Sequence, residues 1–378
     1  MVNYDEFGPQ KILEVYNPRV GMRGFVVIDS LALGPAKGGI RMTPTVTREE
    51  VARLARAMTW KNALADLPFG GGKSGIIANP KEITKEKKFE IIKAFSKAIK
   101  SICPEEYIAA PDMNMAEEEV KAFVEANGEH HSATGKPTTM CLKPGKHCGI
   151  PHEFGSTGFG VFHAGRVAAE HMNLDIQGAT IAIEGFGNVG EFAAKYFTEA
   201  GAKLVAVSDS RGVLYNEEGI DFEKMKETKH KEKTVTNYKP GKVLPSKEII
   251  GIKVDILVTA AIPDLIKMSD INKIKAELIV EGSNIPMTAE IEEKLYKKGI
   301  LIVPDFVANA GGVISSYAEH LGQTPEEMFK LVEKKITKNT QVILNHAKEK
   351  KIKPRDAGME IAIERVRSKC KVCKIPEN

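Results

Sequence analysis

This 378-residue chain has little charge imbalance, no long apolar run and few cysteines. Its 54 Lys and Arg face 50 Asp and Glu, a net charge of +4. No field of the size a polyanion needs is implied, so nucleic acid is not expected as a partner. No uncharged apolar stretch reaches the roughly 18 residues of a membrane span, and the opening MVNYDEFGPQ lacks a basic start followed by an apolar run. Membrane insertion and export are therefore not expected. Five cysteines, an odd number in a chain of this length, are not expected to form a disulfide framework, and a reducing cytoplasm fits them better.

The composition that is present, 42% hydrophobic and 28% charged, is that of a globular protein. Domains of roughly 100 to 200 residues predict two. FVVIDSLAL (25 to 33) reads as a strand. Thr47 and Glu50 form a capping box before a helix with Val51, Leu54, Ala55 and Met58 on its apolar face, running toward Lys61. Helical spacing returns at Phe89, Ile92, Phe95 and Ile99, and from Ala116 to Asn127, where Gly128 ends it.

From 132 to 155 the chain is rich in Gly, Pro and Lys and fits no regular element, which places the domain boundary at 150/151. Beyond it the apolar strands ATIAIE, KLVAVSD, DILVTAA, LIVEG and LIVPD alternate with helical segments, the pattern of a parallel sheet covered on both faces. The expected fold is α/β with two domains. An N-terminal α/β domain spans 1 to 150, a Rossmann-type doubly wound domain spans 151 to 339, and helices from about 340 to 378 pack back on the first. The capping box Thr324-Pro325-Glu326-Glu327 opens that helical tail.

Chemistry enters at ATIAIEGFGNVGEFAAKYF. Gly185, Gly187 and Gly190 lie between an apolar strand and an amphipathic helix, and Asp209 ends the next strand. That context, more than three glycines alone, signals dinucleotide binding: a tight turn, a close approach of backbone to pyrophosphate, and close helix packing at a positive helix end. The intervening Phe186, Asn188 and Val189 belong to the same turn. In Asp209-Ser210-Arg211 the carboxylate suits the ribose diol of NAD, while Ser210 and Arg211 suit a 2′-phosphate.

A second signal lies in GPAKGGIRM (34 to 42), MTWKNALADLPFGGGKSGI (58 to 76) and YIAAPDMNM (107 to 115). Lys37, Lys61 and Lys73 sit among glycines or apolar residues, where a solvated lysine has no reason to be. A lysine crowded by cations and desolvated has a lowered pKa and can polarise a carbonyl near neutral pH. Asp112 is the one carboxylate of the set and the natural proton shuttle.

These segments, with STGFGV (156 to 161), GFGNVG (185 to 190), EGSN (281 to 284) and PDFVANAGGV (304 to 313), resemble the Glu/Leu/Phe/Val dehydrogenase family in the same order over about residues 10 to 320. The resemblance implies a hexamer-prone enzyme with its active site in a cleft between a substrate domain and a dinucleotide domain. It implies that Lys73 polarises the substrate carbonyl and its attacking water, that Asp112 exchanges protons with the substrate nitrogen, and that Lys61 holds the α-carboxylate. Thr157, Asn188, Asn284 and Asn309 fall where the family contacts cofactor or substrate amide and hydroxyl groups. Glutamate enzymes of the family carry Lys at the position of Lys37, where branched-chain and aromatic enzymes carry an apolar residue, and a hydroxyl at the position of Ser316. Both partners for a second carboxylate are present.

The expected activity is interconversion of L-glutamate with 2-oxoglutarate and ammonia using NADP or NAD, with a lean to NADP because similar SDS-plus-basic stretches accompany it in the family. The alternatives are a branched-chain or aromatic amino acid dehydrogenase and a catalytically silent paralogue. Ser74 for Gly, Met115 after Asn114, Thr259 for Pro and EFGSTG for EATG depart from the family pattern, as does Cys141 to His152. Cys370 and Cys373 form a CxxC, and with Cys141, His147 and Cys148 they admit a zinc site, although incidental thiols are the favoured reading and no metal is expected. Cys103 reads as apolar filling.

Overall fold

The computed structural model describes residues 1–373, which divide into two compact units. Unit one comprises 1–154, 313–328 and the chain from 359; unit two comprises 155–312 and 329–358. The expected boundary at 150/151 thus stands beside an observed one at 154/155. The tail alternates between the units: 313–328 belongs to the first, 329–358 to the second, and only from 359 does it return to the first.

Unit one is built on a five-stranded sheet of β1 (Lys11–Asn17), β2 (Met22–Ser30), β3 (Ala36–Thr43), β4 (Gly70–Ile77) and β5 (Tyr107–Ala110), in the order β1-β2-β4-β3-β5. α1 (Arg48–Leu64) covers one face; α2 (Lys85–Ala98) and α3 (Glu117–Asn127) cover the other, over Val26, Ile28, Ile40, Phe95 and Phe123. Thr47 caps α1 as expected by accepting from the Glu50 N–H, but the Glu50 carboxylate turns away to Arg41. The apolar face of α1 also differs from expectation. Leu54 and Met58 are only half-buried, while Thr59 and Asn62 are buried because Thr59 donates to Asp29 and Asn62 to the Gly70 carbonyl.

The glycines of β3 and β4 bring backbone against backbone. A Cβ at Gly38 would collide with the Gly72 carbonyl, and one at Gly71 with Thr59 of α1. Strands carrying Lys37 and Lys73 can therefore lie side by side under a tightly applied helix.

The segment 132–155, expected to be irregular, contains a hairpin of β6 (Cys141–Lys143) and β7 (Lys146–Cys148). Cys141 stands opposite Cys148 in its register and is disulfide-bonded to it. Cys370 and Cys373 form a second disulfide, and Cys103 is free and buried. The expectation of unpaired thiols is thus corrected. Each bridge spans only 7 or 3 residues, so it clips a turn and links no distant elements. Sulfurs committed to each other are not thiolate ligands, and no metal-holding group of three or more side chains occurs among the described residues.

Unit two contains α4 (Ser156–His171), α5 (Asn188–Glu199), α6 (Phe222–Glu232), α7 (Ala289–Lys297) and α8 (Asp305–Ala308). They accompany β8 (Thr180–Glu184), β9 (Lys203–Asp209), β10 (Gly212–Tyr215), β11 (Lys242–Leu244), β12 (Ile256–Thr259), β13 (Leu278–Glu281) and β14 (Leu301–Val303). The sheet order is β11-β10-β9-β8-β12-β13-β14. The five strands anticipated from sequence are mutually parallel, and β10 and β11 add an antiparallel edge. Strand order reverses direction between β8 and β12, the switch point beside which open α/β sheets bind ligands. The chain ends in α9 (Gly311–His320), α10 (Pro325–Lys350) and α11 (Pro354–Lys369). Both halves of the Thr324 and Glu327 capping box form.

Candidate active site

Lys37 lies on β3 and Lys73 on the neighbouring β4, both buried. Lys73 Nζ is 3.1 Å from Asp112 Oδ2, and Arg41 Nε donates to the same oxygen at 2.9 Å. Arg41 continues to Glu50 at 2.7 Å. The loop carrying Asp112 is clipped to β3: the Met42 N–H donates to the Met113 carbonyl, and Asn114 Nδ2 to the Met42 carbonyl. Burial alone would raise the Asp112 pKa, but Lys73 and Arg41 overcome it and hold the carboxyl below the usual range. Burial drives the Lys73 pKa down, against the pull of Asp112. The pair is therefore an ionised carboxylate beside an amine that gives up its proton more easily than an exposed lysine.

Lys37 is 2% exposed, and its Nζ donates to the Ala109 carbonyl at 2.9 Å. Burial pushes its pKa down to about 7; Glu319 opposes the shift, and the cations Lys136 and Lys73 add to it. Lys136 and Glu319 themselves form a buried ion pair at 2.6 Å. Glu319 also accepts from the N–H groups of Gly135, Lys136 and Ile150. It sits one turn beyond half-buried Ser316 on α9, so the same helix presents both the hydroxyl and the carboxylate that neutralises Lys136. Lys61 is half-buried in the last turn of α1. Sequence reasoning missed Arg41, Lys136 and Glu319. Lys136 follows Gly135 in TGKP as Lys37 precedes Gly38, whereas Arg41 lies two residues after Gly39 in GPAKGGIRM.

In unit two, Gly185 takes a positive φ of 88° at the end of β8, and a Cβ at Gly190 would strike the Gly185 carbonyl. At Gly187 nothing lies within 4 Å of where a Cβ would stand. The turn is thus packed tightly at its first and third glycines and open at its second, at the N-terminal end of α5, as a pyrophosphate requires. Phe186 is buried, and Asn188 and Val189 begin α5 half-buried. Asn188 Oδ1 and Asn309 Oδ1 are buried without a hydrogen-bond partner. Asn309 Nδ2 donates to Asn284 Oδ1 at 2.9 Å, and Thr157 is buried in the first turn of α4. These orphaned acceptors and the open glycine fit a dinucleotide with its amide and hydroxyl donors.

Asp209 is already engaged. Its carboxylate accepts from Lys229 Nζ at 2.7 Å and from the N–H groups of Arg211 and Val235, and its side chain is only 7% exposed. Burial opposes ionisation, yet these donors hold its pKa below the usual range. Ser210 and Arg211 are exposed beside it.

Two family models match the chain: glutamate/leucine/phenylalanine/valine dehydrogenase over 148–372, and the dimerisation domain of the same family over 9–128. The chain is 42% identical over 354 residues to a glutamate dehydrogenase of Aeropyrum pernix, covering 89% of this chain and 82% of that protein. It is 37% identical over 346 residues to an NADP-specific glutamate dehydrogenase of Saccharolobus shibatae, covering 89% and 81%. Among solved structures, the hetero-hexameric glutamate dehydrogenase of Thermus thermophilus is similar with a TM-score of 0.83 at 26% identity, covering 97% of this chain and 90% of that one.

Proposed function

The chain belongs to the glutamate/leucine/phenylalanine/valine dehydrogenase family, and from that premise we propose how its residues divide the work. The reaction is the oxidative deamination of L-glutamate to 2-oxoglutarate and ammonia, and its reverse. NAD or NADP, with a lean to NADP, supplies the hydride acceptor when bound. The turn from Gly185 to Gly190, with Phe186, Gly187, Asn188 and Val189, holds the pyrophosphate; Thr157, Asn284 and Asn309 hold amide and hydroxyl groups. Asp209 and Ser210 lie at the adenosine ribose. The Lys229 ammonium that neutralises Asp209 supports the lean, because a saturated carboxylate neither needs a ribose diol nor repels a 2′-phosphate.

Lys61 holds the α-carboxylate, and Lys37 with Ser316 holds the side-chain carboxylate. Lys73 polarises the substrate carbonyl and the water that attacks it. Asp112 takes and returns the protons of the substrate nitrogen, with Lys73 close enough to exchange a proton with it. The observation that carries this reading is the ionised Asp112 held by Lys73 and Arg41 near the buried Lys37. A leucine or phenylalanine pocket would have no use for a buried cation that costs several kcal/mol to desolvate. We further propose a homo-hexamer, for which the hetero-hexameric Thermus relative supports only the number of subunits, and a cytoplasmic site of action. Initial rates with both cofactors across a panel of 2-oxo acids plus ammonia test the assignment. Faster turnover of branched-chain or aromatic oxo acids than of 2-oxoglutarate would overturn it.

A further inference from the structure

In unit two, one guanidinium carries three buried carboxylates. Arg355, near the start of α11, donates from Nη2 to Glu281 at 2.6 Å, from Nε to Glu292 at 2.5 Å and from Nη1 to Asp305 at 3.0 Å. Glu281 is 0%, Glu292 1% and Asp305 7% exposed. As a device for stability this is poor, because apolar residues of similar volume hold a core at least as well as buried ions. What the cluster does well is fix directions.

Two of its legs stand at the roots of cofactor loops. Glu281 ends β13 and leads directly into Gly282, Ser283 and Asn284; Asp305 begins α8, which runs into Asn309. Glu281 Oε2 accepts the Asp305 N–H at 2.9 Å, and Asp305 Oδ2 accepts the N–H of Ile285, a residue in the left-handed region at φ 49°. At the far end of the same two loops Asn309 donates to Asn284. A β-branched residue keeps such a backbone only where its surroundings enforce it. The third leg, Glu292, lies on α7, off both loops.

We infer that Arg355 is a positioning residue for cofactor binding, acting through Glu281 and Asp305 to set the relation of Asn284 to Asn309. The inference rests on the proposed cofactor role of those asparagines.

The test is fluorescence titration of the full-length enzyme with reduced nicotinamide cofactor, without substrate, alongside thermal melting. Arg355→Met should weaken cofactor binding by about tenfold or more, since small misplacements of binding groups are costly. Arg355→Lys, which keeps the charge but loses the three-way fork, should fall between Met and wild type. Glu292→Gln should lower the melting temperature while leaving cofactor affinity within about twofold, which separates positioning from general stability. Asn309→Ala tests the underlying reading. If it weakens binding and folded Arg355 variants do not, the inference is overturned and the reading stands. If Asn309→Ala binds like wild type, the reading fails and the inference with it. Should Arg355→Met not fold, Arg355→Lys decides: wild-type affinity there overturns the inference.

Discussion

Replacing Lys37 by Met should make the protein more stable and nearly inactive on glutamate. The lysine pKa falls from 10.5 to about 7 on folding, chiefly through burial. The unfolded chain therefore binds more protons than the native one between those values, and stability rises with pH across that window. At pH 7 the penalty for this one ammonium is about 4 kcal/mol. Methionine removes it but leaves the Ala109 carbonyl without its donor, a loss of about 1 kcal/mol. Chemical denaturation at pH 7 should show a net gain of about 3 kcal/mol, shrinking to nothing near pH 10, where wild-type Lys37 is already neutral. Meanwhile kcat/KM for glutamate should drop by a factor of about a hundred to several thousand, because a buried carboxylate without its cation costs about 3–5 kcal/mol. A variant no more stable than wild type at pH 7, or a gain that persists unchanged to pH 10, would show that burial does not depress the Lys37 pKa. Undiminished activity on glutamate refutes the role.

Asp112→Asn keeps shape but takes no proton, so turnover should fall about a hundredfold or more while cofactor titration is unchanged. The wild-type KM for 2-oxoglutarate should rise as pH climbs above 7, as Lys37 loses its proton; a flat KM between pH 7 and 9 would contradict the lowered pKa. Initial rates should favour NADP over NAD, and Lys229→Ala should narrow that preference by freeing Asp209; an NAD preference of about tenfold in the wild type would contradict the argument from its saturated carboxylate. Glu319→Gln leaves Lys136 buried without its counter-charge, so denaturation should show a loss of about 3–5 kcal/mol, largely recovered when Lys136→Met is added.

The parallel strands of unit two were legible because continuous apolar runs bounded by turns have few other solutions, and α3 was legible because Gly128 stops it in the left-handed region. The two-residue connection that turns β9 back into β10 carries no such run. The lysine segments announced a site because glycine around charge is hard to explain otherwise, although the glycines proved to seat strands and α1 against one another. Arg41, Glu319 and Arg355 were not legible as a set. Their roles arise from contacts across long stretches of chain, such as Arg41 with Asp112 or Arg355 with Glu281, and no local pattern encodes those.

The buried pair of Lys136 and Glu319 joins residues that leave the ribosome far apart in time. A ribosome delivers the first 154 residues, most of unit one, long before the carboxylate at 319 emerges. Until then Lys136 has no anion to accompany it out of water, and the nascent unit cannot close over the TGKP turn without stranding a cation. The second unit, begun later, has 155–312 in hand before the first receives its missing helix. A fragment truncated near 154 should therefore stay soft around 133–150 however well its sheet is formed.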